Sequence, residues 1–401
     1  MVSKFMVDFP LFDAVSIDEH TPFGLYIHVP FCSSRCGYCD FNTYTPGELG
    51  AQASTESYLD ALEKELELAA HLRADKGDTR LVRTIFIGGG TPSMLGAVGL
   101  RRIMRAIRNN FSISPDCEIT TESNPESTSP RFFDELKEAG FTRISLGMQS
   151  ASAQVLKVLE RAHTPGRAFA AAREARAAGF SHVNLDMIYG TPTETDADVA
   201  HTLEQVLATG VDHVSAYSLI VEDGTRMARK LKKGLLPQPD EDTYADRYQM
   251  IDTALRGHGF EWYEVSNWAQ PGGQCEHNLC YWRDGDWWGA GPGAHSHMGS
   301  VRFAHLKHPA TYARAVAQNQ LPIADSEWLS AQQRHEERVM LGLRLREGID
   351  KAELSARELR VAQSFVERSL VRIDDRVAVT DAGRLLADGI IADILFDEID
   401  N

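Results

Sequence analysis

The sequence predicts an α/β protein, a partial (β/α)6 barrel followed by a C-terminal α+β winged-helix-like domain. Three observations carry this. Residues 24–222 alternate short, β-rich apolar runs with amphipathic helical stretches, a pattern that calls for a parallel sheet with right-handed crossovers. Glycine and polar landmarks recur at the C-terminal ends of the predicted strands, where barrels keep their sites. After Glu222 the alternation stops, and the last 75 or so residues read as a separate small unit.

In chain order, the predicted strands are Gly24–Pro30, Thr84–Gly90, Glu118–Asn124, Arg143–Ser150, His182–Gly190 and His213–Glu222. Between them lie the amphipathic stretches Glu56–Ala74, Leu100–Asn109, Arg131–Ala139, Arg167–Ala178 and Ala197–Thr209. Asp223–Gly224 and Pro237–Asp240 are turn-rich, and Asp242–Arg256 reads as one long helix. An aromatic and glycine-rich region follows from Tyr263 to Phe303. At the end, Gln332–Arg344 and Ala362–Arg368 read as helices, and Leu370–Asp374 and Arg376–Thr380 as two short strands joined at Asp374–Asp375. The expected division is an N-terminal segment 1–22, a partial barrel 23–222, a barrel extension 223–325 and a C-terminal domain 326–401. That last unit is acidic, so packing or docking is expected of it rather than DNA contact.

Composition narrows the function class. The 57 acidic and 41 basic residues give a net charge of −16, which repels phosphate backbones and argues against nucleic acid as a partner. The N-terminal segment carries Asp8, Asp13, Asp18 and Glu19 and lacks a basic stretch followed by an apolar run, so no secretory signal is expected there. No apolar run approaches the roughly 20 residues a bilayer requires. A cytoplasmic protein without direct membrane insertion is therefore expected. Six cysteines in 401 residues are too few for a disulfide framework, yet three fall within eight residues, which reads as metal binding or catalysis.

That cluster is Cys32-Ser-Ser-Arg-Cys36-Gly-Tyr-Cys39. Thiolates spaced by three and then two residues can wrap three corners of one [4Fe–4S] cubane, leaving one iron for an exchangeable ligand. A structural zinc site completed by His28 is the alternative, although such sites more often use paired C-x₂-C knuckles. The cysteines directly follow the first predicted strand. Gly88-Gly89-Gly90-Thr91-Pro92 follows the second strand, Glu122 and Gln149 lie near the ends of the third and fourth, and Asp186 lies on the fifth, which Tyr189-Gly190 closes. Singly each has a plain reading: a tight glycine turn, a buried polar group satisfied by backbone, a solvated arginine at Arg161. Their joint placement at one end of one sheet favours a site.

The Cys-x₃-Cys-x₂-Cys motif with Tyr38 before its last cysteine resembles that of the radical S-adenosylmethionine (SAM) superfamily. Tyr26-Ile-His-Val-Pro-Phe31, Gly88-Gly-Gly-Thr-Pro92, Glu122-Ser-Asn-Pro125, Ser145-Leu-Gly-Met-Gln-Ser150 and Asn184-Leu-Asp-Met-Ile-Tyr-Gly190 narrow the resemblance to its coproporphyrinogen-dehydrogenase-like branch. The likeness runs from about Phe23 to the C-terminus and implies a radical-SAM barrel. It also implies a [4Fe–4S] cluster on Cys32, Cys36 and Cys39, with SAM on the open iron. Tyr26, Tyr38, Gly89, Gly90, Thr91, Glu122, Gln149, Arg161 and Asp186 would form the SAM pocket. The residue types suit such a ligand. Glycines admit close backbone approach, Arg161 can fork onto a carboxylate, and Asp186 can accept hydrogen bonds from a ribose or an ammonium.

Two departures from the decarboxylating enzyme of this branch stand out. Phe41 occupies the place of its fourth cysteine, and only about 23 residues precede the first strand, where the enzyme has a longer segment. His277-Asn278-Leu-Cys-Tyr281-Trp282 instead matches the His-Asn-x-x-Tyr-Trp motif of HemW-type haem chaperones. The resemblance implies haem bound with His277 as iron ligand, an ordinary role for an imidazole. Tyr281 and Trp282 would face the porphyrin and Asn278 would orient the histidine. A lone histidine beside aromatics is, however, more often structural than a ligand. His295, in the close-packed run Gly289-Ala-Gly-Pro-Gly-Ala-His-Ser296, is a second candidate. Cys275 and Cys280 lack a C-x-x-C-H attachment motif and read, with Cys117, as structural thiols. The resemblance further implies haem and apo-haem acceptor proteins, membrane-bound ones included, as partners, and a homodimer. Three functions stay open: a haem chaperone, an oxygen-independent coproporphyrinogen III dehydrogenase, and a zinc-stabilised α/β binding protein.

Overall fold

The structure, a computed structural model, describes residues 15, 17–49, 54–161, 163–238 and 240–396. Most of the predicted N-terminal segment 1–22, and Pro239 of the predicted turn, lie outside the described residues.

Six parallel βα units form the first half: β1 (Phe23–Val29), α1 (Thr55–Asp75), β2 (Val82–Gly89), α2 (Gly96–Asn110), β3 (Ile113–Ser123), α3 (Pro130–Glu138), β4 (Arg143–Gln149), α4 (Ala153–Val158), α5 (Arg167–Ala177), β5 (His182–Tyr189), α6 (Asp196–Leu207) and β6 (His213–Ser218). Local chemistry starts the helices. Ser54 and Ser57 cap α1 reciprocally, Thr195 and Asp198 do the same for α6, and Ser129 caps α3 ahead of Pro130. Strands covered on both faces read as nearly continuous apolar runs. Leu25 and Ile27, Ile85 and Ile87, Ile144 and Leu146, and Val183 and Leu185 form the shared core beneath the helices.

β1 and β6 do not pair, so the barrel is partial. Segments after Glu222 extend both its edges: α7 (Arg226–Lys232), α8 (Glu241–Arg256), β7 (Glu261–Glu264), β8 (Asn267–Ala269), α9 (Glu276–Trp282), β9 (Asp286–Ala290), β10 (His295–Met298), β11 (Val301–His305), α10 (Pro309–Ala317) and β12 (Ile323–Trp328). The resulting sheet runs β12-β11-β10-β9-β1-β2-β3-β4-β5-β6-β8-β7, with β9 parallel to β1. Sequence reading assigned no strands between Tyr263 and Phe303, because these strands are three to five residues long and interrupted by glycine. It also carried β6 four residues too far. The chain leaves that strand after Ser218, where the Leu219 amide turns to the carbonyl of Tyr189 (2.9 Å).

The C-terminal unit comprises α11 (Ala331–Gly342), β13 (Ile349–Asp350), α12 (Ala356–Glu367), β14 (Val371–Ile373), β15 (Arg376–Val379) and α13 (Ala387–Phe396). Its small antiparallel sheet, β13-β15-β14, gives the winged-helix-like arrangement, and α13 is an addition the sequence reading did not foresee. The unit docks on α8 and β7. Asp381 accepts from the indole of Trp262 (2.9 Å), and Arg384 pairs with Asp252 inside the contact.

Candidate functional site

The six C-terminal strand ends meet the loop that follows β1. Residues 32–44 leave β1, carry the three cysteines and return beside their own start: the Cys32 amide donates to the Tyr44 carbonyl (3.0 Å) and the Tyr44 amide to the Pro30 carbonyl (2.7 Å). The loop's apex is held from outside. The Gly37 amide donates to Leu159 (3.2 Å), and the Gly37 carbonyl accepts from the Met227 amide at the start of α7 (2.9 Å). Opposite it, the turn after β2 presses on β1. The Gly90 amide donates to Val29 (2.8 Å) and the Thr91 amide to Phe31 (2.7 Å). Only glycine fits here: a Cβ at Gly90 would lie 2.6 Å from the Phe31 oxygen, and one at Gly89 (φ +108°) would lie 2.6 Å from the His28 ring.

Between them lies a cavity of about 550 Å³, within the range of small-ligand sites. Its lining includes Cys32, Cys36 and Cys39, Tyr38, Gly89, Gly90, Thr91, Glu122, Gln149, Arg161 and Asp186, eleven of the residues singled out from sequence. Arg161 stands at the centre of the electrostatics. Its Nη1 donates to the Cys36 sulfur (3.3 Å) and its Nη2 to the Gly147 carbonyl (3.0 Å), while its buried Nε has no protein partner. A buried guanidinium with one donor to spare favours thiolate and calls for an anionic ligand group. Burial pushes the Cys32 and Cys39 thiols up, and the Thr91 hydroxyl, 3.6 Å from the Cys32 sulfur, works against that shift. Metal coordination deprotonates such thiols outright.

The pocket floor is polar. Asp186 accepts from Ser145 (2.9 Å) and from Asn184 (2.6 Å), and burial raises its carboxyl. Gln149 adopts φ +72° where β4 slips register against β5, a conformation that costs a non-glycine residue about 1 kcal/mol. Burial pushes the Glu122 carboxyl up to about 8, reinforced by Asp186 and opposed by the Gly89 amide that donates to it (3.0 Å). The folded chain thus holds a proton that the unfolded chain releases near 4.5. Unfolding gives up that proton, so this group makes stability fall as pH rises between those two values. Urea unfolding of cluster-free protein at pH 5 and pH 8 is expected to show a smaller loss of stability in Glu122→Gln than in wild type. An equal loss in both would place the Glu122 titration elsewhere.

The three thiols share one cavity mouth. Among the described residues, no three His, Cys, Asp or Glu side chains are grouped to hold a single metal ion. A mononuclear zinc needs such convergence, whereas a cubane takes each sulfur on a different iron and spreads them around a wider body. The shared mouth of Cys32, Cys36 and Cys39, with the spare donor of Arg161 behind it, fits a cluster and an anionic-ended ligand.

Five predicted site residues do not line this cavity. Tyr26 lies beneath it, bonded to His28 (3.0 Å). The His-Asn-x-x-Tyr-Trp motif forms α9, which seals the barrel at the opposite end of β1 and β2. His277 is 1% exposed. Its Nδ1 is bonded to the Thr84 hydroxyl (2.8 Å), its Nε2 to the Tyr281 hydroxyl (2.7 Å), and its ring stacks on Phe86 (5.2 Å between centroids). Both nitrogens are therefore engaged, and this arrangement does not fit haem ligation by His277. Asn278 is half-buried on α9, and Trp282 packs beside Leu279 and Leu345. His295 is exposed on β10. Cys117, Cys275 and Cys280 are buried thiols bonded to Glu118 or to the Asp286 carbonyl.

Sequence reading missed Glu126, His163 and Tyr217 in the cavity wall. Tyr217 was reachable by the strand-end rule had β6 been ended correctly. His163 stands two residues past Arg161, and its buried Nε2 has no partner. Phe41, at the fourth-cysteine place, stands 62% exposed at the mouth.

Residues 26–206 match the Radical SAM superfamily and residues 329–386 the HemN C-terminal domain. The chain is 52% identical over 375 residues to the "Heme chaperone HemW" of Mycobacterium tuberculosis, covering 93% of this chain and 95% of that one. It is 33% identical over 380 residues to the protein of the same name from Bacillus subtilis, covering 92% and 98%. The solved structure of coproporphyrinogen III oxidase (HemN) from Escherichia coli, described as a radical SAM enzyme, superposes with a TM-score of 0.82 at 26% identity, covering 96% of this chain and 93% of that one.

Proposed function

Because this chain belongs to the radical SAM superfamily and within it to the HemW family, we propose that it is a haem chaperone that binds a [4Fe–4S] cluster, SAM and haem and delivers haem to acceptor apo-proteins. The observation that supports this best is the joint placement of Cys32, Cys36, Cys39 and Arg161 around one cavity at the barrel mouth, in a chain that is 52% identical to a named heme chaperone.

In this reading, Cys32, Cys36 and Cys39 hold the cluster and Arg161 screens their negative charge. The cluster supplies an iron with an open coordination position and a store for one electron. Gly89 and Gly90 bring backbone close to the amino-acid end of SAM, the spare Nε of Arg161 takes its carboxylate, and Glu122 and Asp186 face its cationic and hydroxyl groups. Tyr38 and the buried Ile188 wall the cavity from water. The six free cysteines suit a reducing compartment, for which we propose the cytoplasm, and no helix among the described residues is long and apolar enough to cross a membrane. Acceptors, membrane-bound ones included, would be met through protein contacts, with a homodimer as the working assembly.

Transfer of bound haem to candidate apo-proteins, with and without the cluster, tests the proposal directly. Failure to bind haem, or delivery no faster than free haem diffuses, would overturn it. His277 needs its own test. Removing its buried imidazole takes away two hydrogen bonds and a stacked ring, so His277→Ala is expected to lose roughly 2–4 kcal/mol of stability while leaving the Soret band and haem affinity unchanged. Loss of the Soret band at unchanged stability would instead make His277 the ligand and would require α9 to open.

A second reading, oxidative decarboxylation of coproporphyrinogen III, is favoured by the likeness to the solved oxidase. Phe41 at the fourth-cysteine place speaks against it. Turnover of coproporphyrinogen III by the reduced, cluster-loaded protein would decide for it.

A further inference from the structure

The glycine-rich run Gly289–Ser296 has no part in the cavity, yet it is built to touch the loop that carries the cysteines. β9 runs parallel to β1, with Ala290 opposite Ile27. The turn that follows β9 therefore emerges at the same end of the sheet as Cys32, although some 250 residues separate them in the chain. Two of its glycines are used for this approach. Gly291 (φ +103°) abuts the His28 carbonyl so closely that any Cβ would collide with it, and a Cβ on Gly293 (φ +78°) would lie 2.5 Å from the Asn42 side-chain nitrogen.

Asn42, three residues beyond Cys39, is the point of attachment. Its Nδ2 donates both hydrogens, one to the Pro292 carbonyl (2.9 Å) and one to the Lys307 carbonyl (2.8 Å). Its own carbonyl oxygen lies 2.9 Å from Nε2 of His28. A carbonyl only accepts, so His28 carries its hydrogen on Nε2, and its Nδ1 accepts from the Tyr26 hydroxyl (3.0 Å). His28 is wedged between Gly89 of the pocket wall and Gly291 of the turn. The returning limb of the cysteine loop is thus tied at one residue to β1, to the turn after β9 and to the segment after β11.

We propose that Asn42 is a positioning residue for the metal-binding loop, holding Cys36 and Cys39 in register with Cys32 through its bonds to Pro292 and Lys307. The role rests on the cluster reading above and acts on the loop, with no contact between Asn42 and the cluster or SAM. Supporting groups of this kind commonly change metal affinity by about 10- to 100-fold when removed. Asn42→Asp is the sharper variant, since it keeps the shape and loses both donors.

The test has a part that needs no metal. In cluster-free protein, hydrogen–deuterium exchange of residues 32–44 is expected to speed up by about tenfold in Asn42→Ala and Asn42→Asp, the change in local opening that the lost hydrogen bonds give, with exchange in β2 to β5 unchanged. In anaerobically loaded protein, the same variants are expected to release iron to a chelator about tenfold faster and to need about tenfold more SAM to perturb the electron paramagnetic resonance signal of the reduced cluster. Gly293→Ala should reproduce these changes by displacing the Asn42 amide. Gly272→Ala, at φ +83° with open space around it, imposes comparable backbone strain and should not. Wild-type exchange and release rates in Asn42→Asp, or equal effects from Gly272→Ala, overturn the proposal. A wild type that takes up no cluster overturns the cluster reading instead, and the exchange measurement still decides the role of Asn42 in the loop.

Discussion

Cys36→Ala is expected to abolish cluster assembly: iron bound after anaerobic reconstitution should fall from about four per chain to near zero. The reason is geometric. A cubane held by three thiolates loses a third of its protein bonds with one substitution, and the remaining cavity wall offers oxygen and nitrogen donors in place of the missing sulfur, a poorer match to cluster iron. Cys36 is also the sulfur that Arg161 contacts at 3.3 Å, so its removal strands the guanidinium beside an apolar methyl. Cys117→Ala, Cys275→Ala and Cys280→Ala are the controls. These thiols lie buried away from the cavity and should leave iron content unchanged. Iron and sulfide assays with Mössbauer spectra make the measurement. A full complement of cubane iron in Cys36→Ala would remove the cluster assignment and, with it, the SAM pocket.

Arg143→Leu is expected to cost about 3–5 kcal/mol of folding stability. Arg143 and Glu118 form an ion pair at 2.8 Å with side chains 2% and 8% exposed. The pair does more than join β3 to β4. Arg143 Nη2 donates to the carbonyls of Gly273 (2.8 Å) and Gln274 (2.6 Å), and Glu118 accepts from the amides of Glu276 (3.2 Å) and His277 (3.1 Å), the first turn of α9. One buried pair therefore fastens the His-Asn-x-x-Tyr-Trp helix to the base of the barrel. Leucine at 143 would leave the Glu118 carboxylate buried beside no cation, the costly half of a broken pair. Urea unfolding followed by tryptophan fluorescence measures the loss, and a loss under about 1 kcal/mol would show that water reaches the site. Burial alone would raise the Glu118 carboxyl, but the Arg143 charge and the α9 amides hold it below its ordinary value. This contribution is complete above about pH 4.5 and disappears as pH falls through the lower folded value.

These two variants mark the two ends of the barrel, and they differ in how visible they were beforehand. Cys36 was legible because ligand spacing is local: three thiols within eight residues imply one metal body whatever the rest of the chain does. The landmarks at strand ends were legible for a related reason. Once alternation places a strand, its C-terminal residues face the mouth, which is why Gly90, Glu122, Gln149 and Asp186 could be named together. Arg143 was not legible, since an arginine opening an apolar strand carries no mark of the carboxylate it will meet across the sheet. The surroundings of His277 were not legible either. Its motif was found correctly, but its exposure depends on Thr84, Phe86 and Tyr281 closing over both faces and both nitrogens.

By itself the sequence determined the parallel α/β barrel, the spacing of the three cysteines and the strand-end landmarks Glu122, Gln149 and Asp186, because hydrophobic period and short-range spacing are properties of neighbouring residues; Arg161 entered through the family resemblance. Only the tertiary structure decided that β9 would lie beside β1, that Asn42 would meet Pro292, and that the His-Asn-x-x-Tyr-Trp helix would turn inward as a plug. Those outcomes depend on which open sheet edge a late segment covers, a choice made by backbone hydrogen bonding and packing over some 250 residues of chain, where no local pattern records the partner.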